Sequence, residues 1–220
     1  SEREWDPLVP LLAGSHRVIR IDLLGCGRSA KPDDGDYSVP AQGLRIGAAM
    51  DLLGVRAAVL VGHSSGGYPA TALAERRPEL VTAIALVNSG PGPHAFIGGQ
   101  AAIDPARWDS LTDDQLREAV RTGFRPGFHI PDEFLEQVRA MSLHAFAAVE
   151  QANLAYLREQ PLPDRLAKVG KPLLVLFGEE DQRWRSSSAA DYSVVRGARV
   201  ELMPGLGHSP NLEDPLRDAE

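Results

Sequence analysis

Short, almost purely apolar runs alternate with stretches of helical spacing along most of the chain. Residues 57–61, 81–87 and 172–177 are rich in Val, Ile and Leu, the composition of strands covered on both faces. Residues 16–24 alternate apolar and polar positions, which predicts a further strand, and residues 199–203 predict the last one. Helical spacing predicts helices over 5–12 and over 40–53, where Leu44, Ala48 and Leu52 fall in step before Gly54. Another helix is expected from the end of the 57–61 strand to about residue 77, with others over 186–195 and from 214 onward. Between residues 91 and 160 the strand signal stops. Thr112 and Gln115 form a capping-box pair that opens a helix over 112–124. Residues 131–158 read as one or two helices with Phe134, Val138, Met141, Ala145 and Val149 along one stripe, ended by Pro161-Leu162-Pro163.

Strands separated by helices imply a doubly wound, mostly parallel sheet with helices on both faces. Residues 1–90 and 161–220 form that α/β core in this reading, and residues 91–160 are a helical insertion. Sites on such sheets lie beyond the carboxyl ends of the strands. Ser64, Asp181 and His208 each follow a predicted strand end, so the topology brings all three to one rim.

The composition narrows the partners. The 220 residues carry a formal net charge of −7 and no basic run, which argues against nucleic acid. No apolar stretch reaches membrane-spanning length. The single cysteine, Cys26, allows no intrachain disulfide and fits a reducing, cytoplasmic setting. No metal-ligand spacing and no phosphate loop are present, so no cofactor is expected. A small-molecule substrate is the expected partner, and homo-oligomerisation stays open. The chain opens on Ser1 without a methionine and stops at Glu220 in what reads as a helix start, so both ends are expected to be cut.

The chemistry centres on Gly62-His63-Ser64-Ser65-Gly66, a Gly-x-Ser-x-Gly turn between an apolar strand and a small-residue helix. That context is a nucleophile elbow: the chain turns sharply under the serine and leaves its hydroxyl clear. Gly62 and Gly66 are expected to remove side chains that would collide. A serine hydroxyl needs a base, and the base needs a group that fixes its tautomer. His208, in a glycine-flanked loop, is the candidate base. Asp181 is the candidate acid, with Glu179 and Glu180 as competitors and the neutral Asn88 at another acid position. His63 adjoins the serine and lines the elbow. His94, His129 and His144 fall in or near the insertion. Asp22 is expected to hold the turn after residue 24 by hydrogen bonds, and Cys26 to be a small turn residue. Five of the six phenylalanines (Phe96, Phe124, Phe128, Phe134 and Phe146) fall in the insertion, and His63, Phe124, Phe128 and Phe146 are the candidate substrate contacts.

Asp22-Leu-Leu-Gly-Cys-Gly-Arg-Ser29, Gly62-His-Ser-Ser-Gly-Gly67, Pro172 to Phe177 with Gly178-x-x-Asp181, and Gly207-His208-Ser-Pro210 together resemble the α/β-hydrolase superfamily in its cap-bearing branch. The resemblance spans nearly all of the chain outside the insertion. It implies Ser64 as nucleophile, His208 as base, Asp181 as triad acid, the Ser65 backbone N–H as an oxyanion donor and the insertion as a helical cap. Serine in the elbow implies hydrolysis of an ester, lactone, thioester or amide. The alternatives are C–C bond hydrolysis, cyanohydrin cleavage, cofactor-free perhydrolysis and non-catalytic small-molecule reception. Family members carry a strand ending in His-Gly ahead of the segment matching residues 3–6, whose loop supplies the second oxyanion donor; upstream residues are therefore expected.

Overall fold

The computed structural model describes residues 1–99, 108 and 110–219. Four strands form one parallel sheet: β1 (Ala58–His63), β2 (Val81–Val87), β3 (Leu173–Gly178) and β4 (Arg199–Met203), in the spatial order of the chain. His63 pairs with Val87, Leu86 with Val175 and Gly178 with Met203, so the carboxyl ends line up along one rim. The two central strands read as unbroken apolar runs because helices cover both their faces. Ile84, Leu86, Val175 and Phe177 are each 2% exposed or less, whereas Val59 and Val61 on the edge strand β1 are 56% and 46% exposed.

Nine α-helices are described: α1 (Val9–Leu12), α2 (Val39–Leu52), α3 (Gly67–Arg76), α4 (Asp113–Val120), α5 (Asp132–Arg139), α6 (Leu143–Glu159), α7 (Leu162–Val169), α8 (Pro210–Glu213) and α9 (Pro215–Ala219). The Ser38 hydroxyl caps α2 by accepting from the Ala41 N–H. α2 then lies so close to α3 that a Cβ on Gly43 would sit 2.8 Å from the Leu73 nitrogen. The capping box of Thr112 and Gln115 forms as expected. The 131–158 stretch divides at Ser142, whose hydroxyl caps α6 by accepting from the Ala145 N–H.

Two apolar clusters result. One surrounds the sheet and includes Tyr68, Leu73, Leu86, Phe177 and Tyr192. The other lies among the inserted helices and includes Trp108, Leu116, Phe124, Ile130, Leu135 and Val138. Helix α6 bridges them, since Tyr156 and Leu157 near its end pack into the sheet-side cluster. The boundary at residue 160 is thus not a boundary in packing.

Two expectations need correction. Residues 16–24 form no strand, because among the described residues nothing pairs with them; alternation marks a strand only where a neighbour can complete the ladder. Side chains hold this stretch instead. Gln42 Nε2 donates to the Leu24 carbonyl at 2.8 Å, and Asp22 accepts from the N–H groups of Glu2 and Arg28. Asp22 so holds its turn as expected. Next, Pro161-Leu162-Pro163 ends one helix but also begins α7, since proline is well placed in a first helical turn. The helix expected over 186–195 is present as a 3-10 helix, Ser186–Val194.

Candidate active site

The elbow follows directly from β1. Its last residue, His63, is extended, and Ser64 then takes φ 51°, a left-handed conformation that costs a non-glycine residue on the order of 1–3 kcal/mol. Close approach makes this turn possible. A Cβ on Gly62 would lie 2.6 Å from the Gly67 Cα, and one on Gly67 would collide with the Ser89 side chain. A Cβ on Gly66 would meet nothing within 4 Å, so Gly67 rather than Gly66 is the second glycine the elbow requires. Buried Ser89 fixes the turn from below by donating to the Ser64 carbonyl at 2.7 Å. Ser64–Gly66 forms a short 3-10 turn leading into α3. The Ser65 N–H sits in its first turn, where backbone donors have no intrahelical partner.

His208 arrives from the loop after β4. Two glycines let that loop lie flat on the rim: a Cβ on Gly178 would collide with the Gly207 carbonyl, and one on Gly207 with the Arg125 backbone. The fully buried Glu213 carboxylate accepts from the N–H groups of Gly207, Ser209 and Arg125 at 2.7–3.1 Å. The Ser209 hydroxyl donates to the Gly123 carbonyl at 2.7 Å.

The three side chains form one line. Ser64 Oγ lies 2.9 Å from His208 Nε2, and His208 Nδ1 lies 2.9 Å from Asp181 Oδ2. An ionised carboxylate only accepts, so Nδ1 carries the proton and Nε2 presents its lone pair to the hydroxyl. Burial pushes the imidazole pKa down and Asp181 restores it only in part, which leaves the ring neutral at pH 7. The Asp181 carboxylate is saturated. Oδ2 also accepts from Asn88 Nδ2 at 2.7 Å, and Oδ1 accepts from the N–H groups of Arg183 and Trp184 at 2.7 and 3.1 Å. Burial pushes its pKa up, but His208 and these donors outweigh that and hold it below the usual range. Glu179 and Glu180 are exposed, which removes them as competitors.

The roles of Ser89 and Glu213 escaped the sequence reading, as did that of Asn88, which enters it only as a neutral residue at another acid position. Asn88 has φ 46° and is wholly buried; besides bonding Asp181, its Oδ1 accepts from the Gly178 N–H and its Nδ2 from 3.1 Å donates to the Gly207 carbonyl. An asparagine directly after an apolar strand and before Ser-Gly-Pro was the available signal, since asparagine tolerates left-handed backbone.

Both ring nitrogens of His63, expected as a substrate contact, are engaged within the protein. Its Nε2 bonds the His208 carbonyl at 2.7 Å, and its Nδ1 lies 3.4 Å from Glu4 Oε2. A carbonyl only accepts, so Nε2 is protonated, and the carboxylate at Nδ1 favours the imidazolium. Burial pushes the His63 pKa down, but Glu4 more than reverses it. Burial likewise pushes the Glu4 carboxyl up, yet the hydrogen bond to His63 holds it at about 2. The expected substrate contacts of the insertion divide similarly. Phe124 is 1% exposed, packed between Phe128 and Phe134 at ring distances of 5.2 and 5.0 Å, and so builds the inserted core. Phe128 is half-buried in the same cluster, and Phe146 is exposed on α6. His94 pairs with Asp191, His144 with the Asp33 carbonyl, and His129 is exposed. Cys26 is a free thiol whose pKa burial raises. Among the described residues no cluster of ligating side chains could hold a metal, and no helix is long and apolar enough to cross a membrane.

A profile described as the alpha/beta hydrolase family matches residues 1–218. The chain belongs to the alpha/beta hydrolase family. It is 26% identical to the putative carbamate hydrolase RutD of Pseudomonas savastanoi pv. phaseolicola, over 98% of this chain and 85% of that protein. It is 30% identical to 2-hydroxymuconate semialdehyde hydrolase of Pseudomonas sp. strain CF600, over 98% and 78%. Among solved structures, the meta-cleavage product hydrolase CumD of Pseudomonas fluorescens IP01 superposes with a TM-score of 0.80 at 21% identity, covering 99% of this chain and 82% of that one. That last likeness concerns the fold. An alpha/beta hydrolase core, with a parallel sheet flanked by helices, is what both sequence and coordinates describe.

Proposed function

We propose that this alpha/beta hydrolase is a serine hydrolase that cleaves an ester, lactone, thioester or amide of a small apolar-bodied substrate through an acyl-enzyme. The observation that carries the reading is the unbroken Ser64–His208–Asp181 line, with both links at 2.9 Å. His208 Nε2 takes the Ser64 proton as Oγ attacks the carbonyl carbon. Asp181 steadies the imidazolium so formed. The tetrahedral oxyanion rests on the Ser65 N–H, aided by the positive end of the helical turn. His208 then returns its proton to the leaving group, activates water and releases the acid. The inserted helices act as a cap that screens the rim from solvent. Fluorophosphonate labelling tests the assignment: the wild type is expected to be labelled and Ser64→Ala not, and labelling that survives the substitution removes Ser64 from the mechanism.

A second reading keeps the triad and changes the bond. The relatives include a 2-hydroxymuconate semialdehyde hydrolase and a non-heme haloperoxidase of Rhodococcus erythropolis, 28% identical over 94% of this chain. C–C bond hydrolysis, hydroxynitrile cleavage and cofactor-free perhydrolysis are its forms. Turnover of vinylogous diketones in preference to p-nitrophenyl esters would favour C–C hydrolysis over the first reading.

A further inference from the structure

Ser64 and His208 are joined by more than the bond between their side chains. His63 closes β1 directly before Ser64, and its ring reaches across to the base. Its Nε2 donates to the His208 main-chain carbonyl at 2.7 Å, and no other described donor reaches that carbonyl. The two rings are neighbours, with centroids 5.2 Å apart. The loop is otherwise held at its flanks, where the N–H groups of Gly207 and Ser209 donate to Glu213. The carbonyl of the base itself depends on the residue that precedes the nucleophile.

The His63 ring is itself fixed. Its Nδ1 lies 3.4 Å from Glu4 Oε2, the Trp5 indole meets it edge-on at 6.4 Å, and the side chain is 7% exposed. Glu4 and Trp5 belong to the short 3-10 helix Glu2–Trp5, whose Glu4 carbonyl accepts from Asn211 Nδ2 at 3.0 Å. Asn211 is wholly buried on α8, in the segment that follows His208. Asn211 thus anchors that 3-10 helix without help from His63. A protonated imidazole donating to a carbonyl makes a bond roughly twice as strong as a neutral donor does. It holds the peptide plane of His208, and with it the direction in which Nε2 meets Ser64 Oγ. Misplacing a reacting group by about 1 Å costs up to about a hundredfold in rate. The charged or titratable groups facing the ring are Glu4, His208 and Asp218 of α9. Glu4 Oε1 in turn lies 3.6 Å from the Ser1 amino group. Burial is the larger cause that holds the His208 pKa down, and the positive His63 ring adds to it.

We propose that His63 is a positioning residue of the reaction, tying the main chain of the base His208 to the turn that carries Ser64. This rests on the serine-hydrolase reading above. His63 touches neither the reacting bond nor the proton in flight; it acts through His208.

The test follows kcat and KM for p-nitrophenyl butyrate across the pH range in which a histidine titrates. His63→Ala removes the donor and is expected to lower kcat about tenfold or more, with KM within about twofold of the wild type. His63→Gln offers an amide donor to the same carbonyl without the charge. It should return kcat to within about threefold of the wild type, while the acid limb of kcat/KM moves upward because a cation beside His208 is gone. A residue that only fills space would give neither the rescue nor the moved limb. Undiminished kcat in folded His63→Ala, equal losses of kcat in the Ala and Gln variants, or an unmoved acid limb in His63→Gln overturns the assignment. Should His63→Ala not fold, His63→Gln decides alone: retained kcat with a raised acid limb supports the tie, and a lost kcat or an unmoved limb overturns it. If the wild type turns over no ester, the hydrolase reading has failed. The His208 ring titration followed by NMR then decides: a midpoint raised in His63→Gln supports the tie, and an unchanged one overturns it.

Discussion

The two sides of the catalytic rim differ in how their polar groups are satisfied. Around Asp181 every acceptor is used: four donors reach its two oxygens, and the loop carrying His208 hangs on Glu213. Towards α6 the bonds are fewer: among the described residues Asn153 Nδ2 is buried without a hydrogen-bond partner, and the half-exposed Arg183 side chain forms no hydrogen bond or ion pair. A saturated network holds geometry, since each member is over-determined by several bonds. The protein thus concentrates its bonds on the groups that orient the triad.

The largest effect expected from breaking the saturated side is on turnover. Asp181→Asn should lower kcat by about 10⁴-fold with little change in KM, because the imidazole loses the acceptor that fixes its tautomer; ester hydrolysis under saturating substrate checks it. Glu213→Ala comes next. It strips an acceptor from three backbone N–H groups and is expected to destabilise the fold by about 2–4 kcal/mol, read from urea unfolding. It should also lower kcat, since the His208 loop loosens.

The pH profile sharpens the same contrast. His208 titrates below its ordinary value of 6.5 because burial opposes its charge. The acid limb of kcat/KM is therefore expected to have its midpoint below 6.5, with the base active above it. A midpoint above 6.5 would contradict the burial-dominated account. For stability, a histidine with a lowered folded pKa contributes fully above 6.5 and loses that contribution as pH falls through the folded value. His63 runs the opposite way. Its raised pKa stabilises the fold below 6.5, and that contribution fades as pH rises through the folded value.

The smallest effect concerns a buried carboxylate on α9. Both Asp218 oxygens are buried without partners, and burial pushes the carboxyl to about 6. The unfolded chain ionises first, so stability falls between about pH 4 and 6 and stays lowered above. Asp218→Asn should then stabilise the fold by about 1–2 kcal/mol at pH 8 and by much less at pH 4.5, in paired urea titrations.

Local spacing alone revealed a good deal. The strands expected over 81–87 and 199–203 match β2 and β4 to the residue. The elbow, the order Ser64, Asp181, His208 and the α4 capping box were all readable from neighbours a few positions apart. Residues 16–24 mark where that reading stops: alternation describes one strand, while a ladder needs two, and no described partner is present. The role of Gly67 over Gly66 depended on where Ser89 packs, and that of His63 on Glu4, which lies 59 positions away. Phe124, expected at the substrate, is consumed by the inserted core. Nothing along the chain marks Glu213 as a brace. Such roles come from long-range contacts and from which polar groups burial leaves unpaired, and those are set only when distant segments meet.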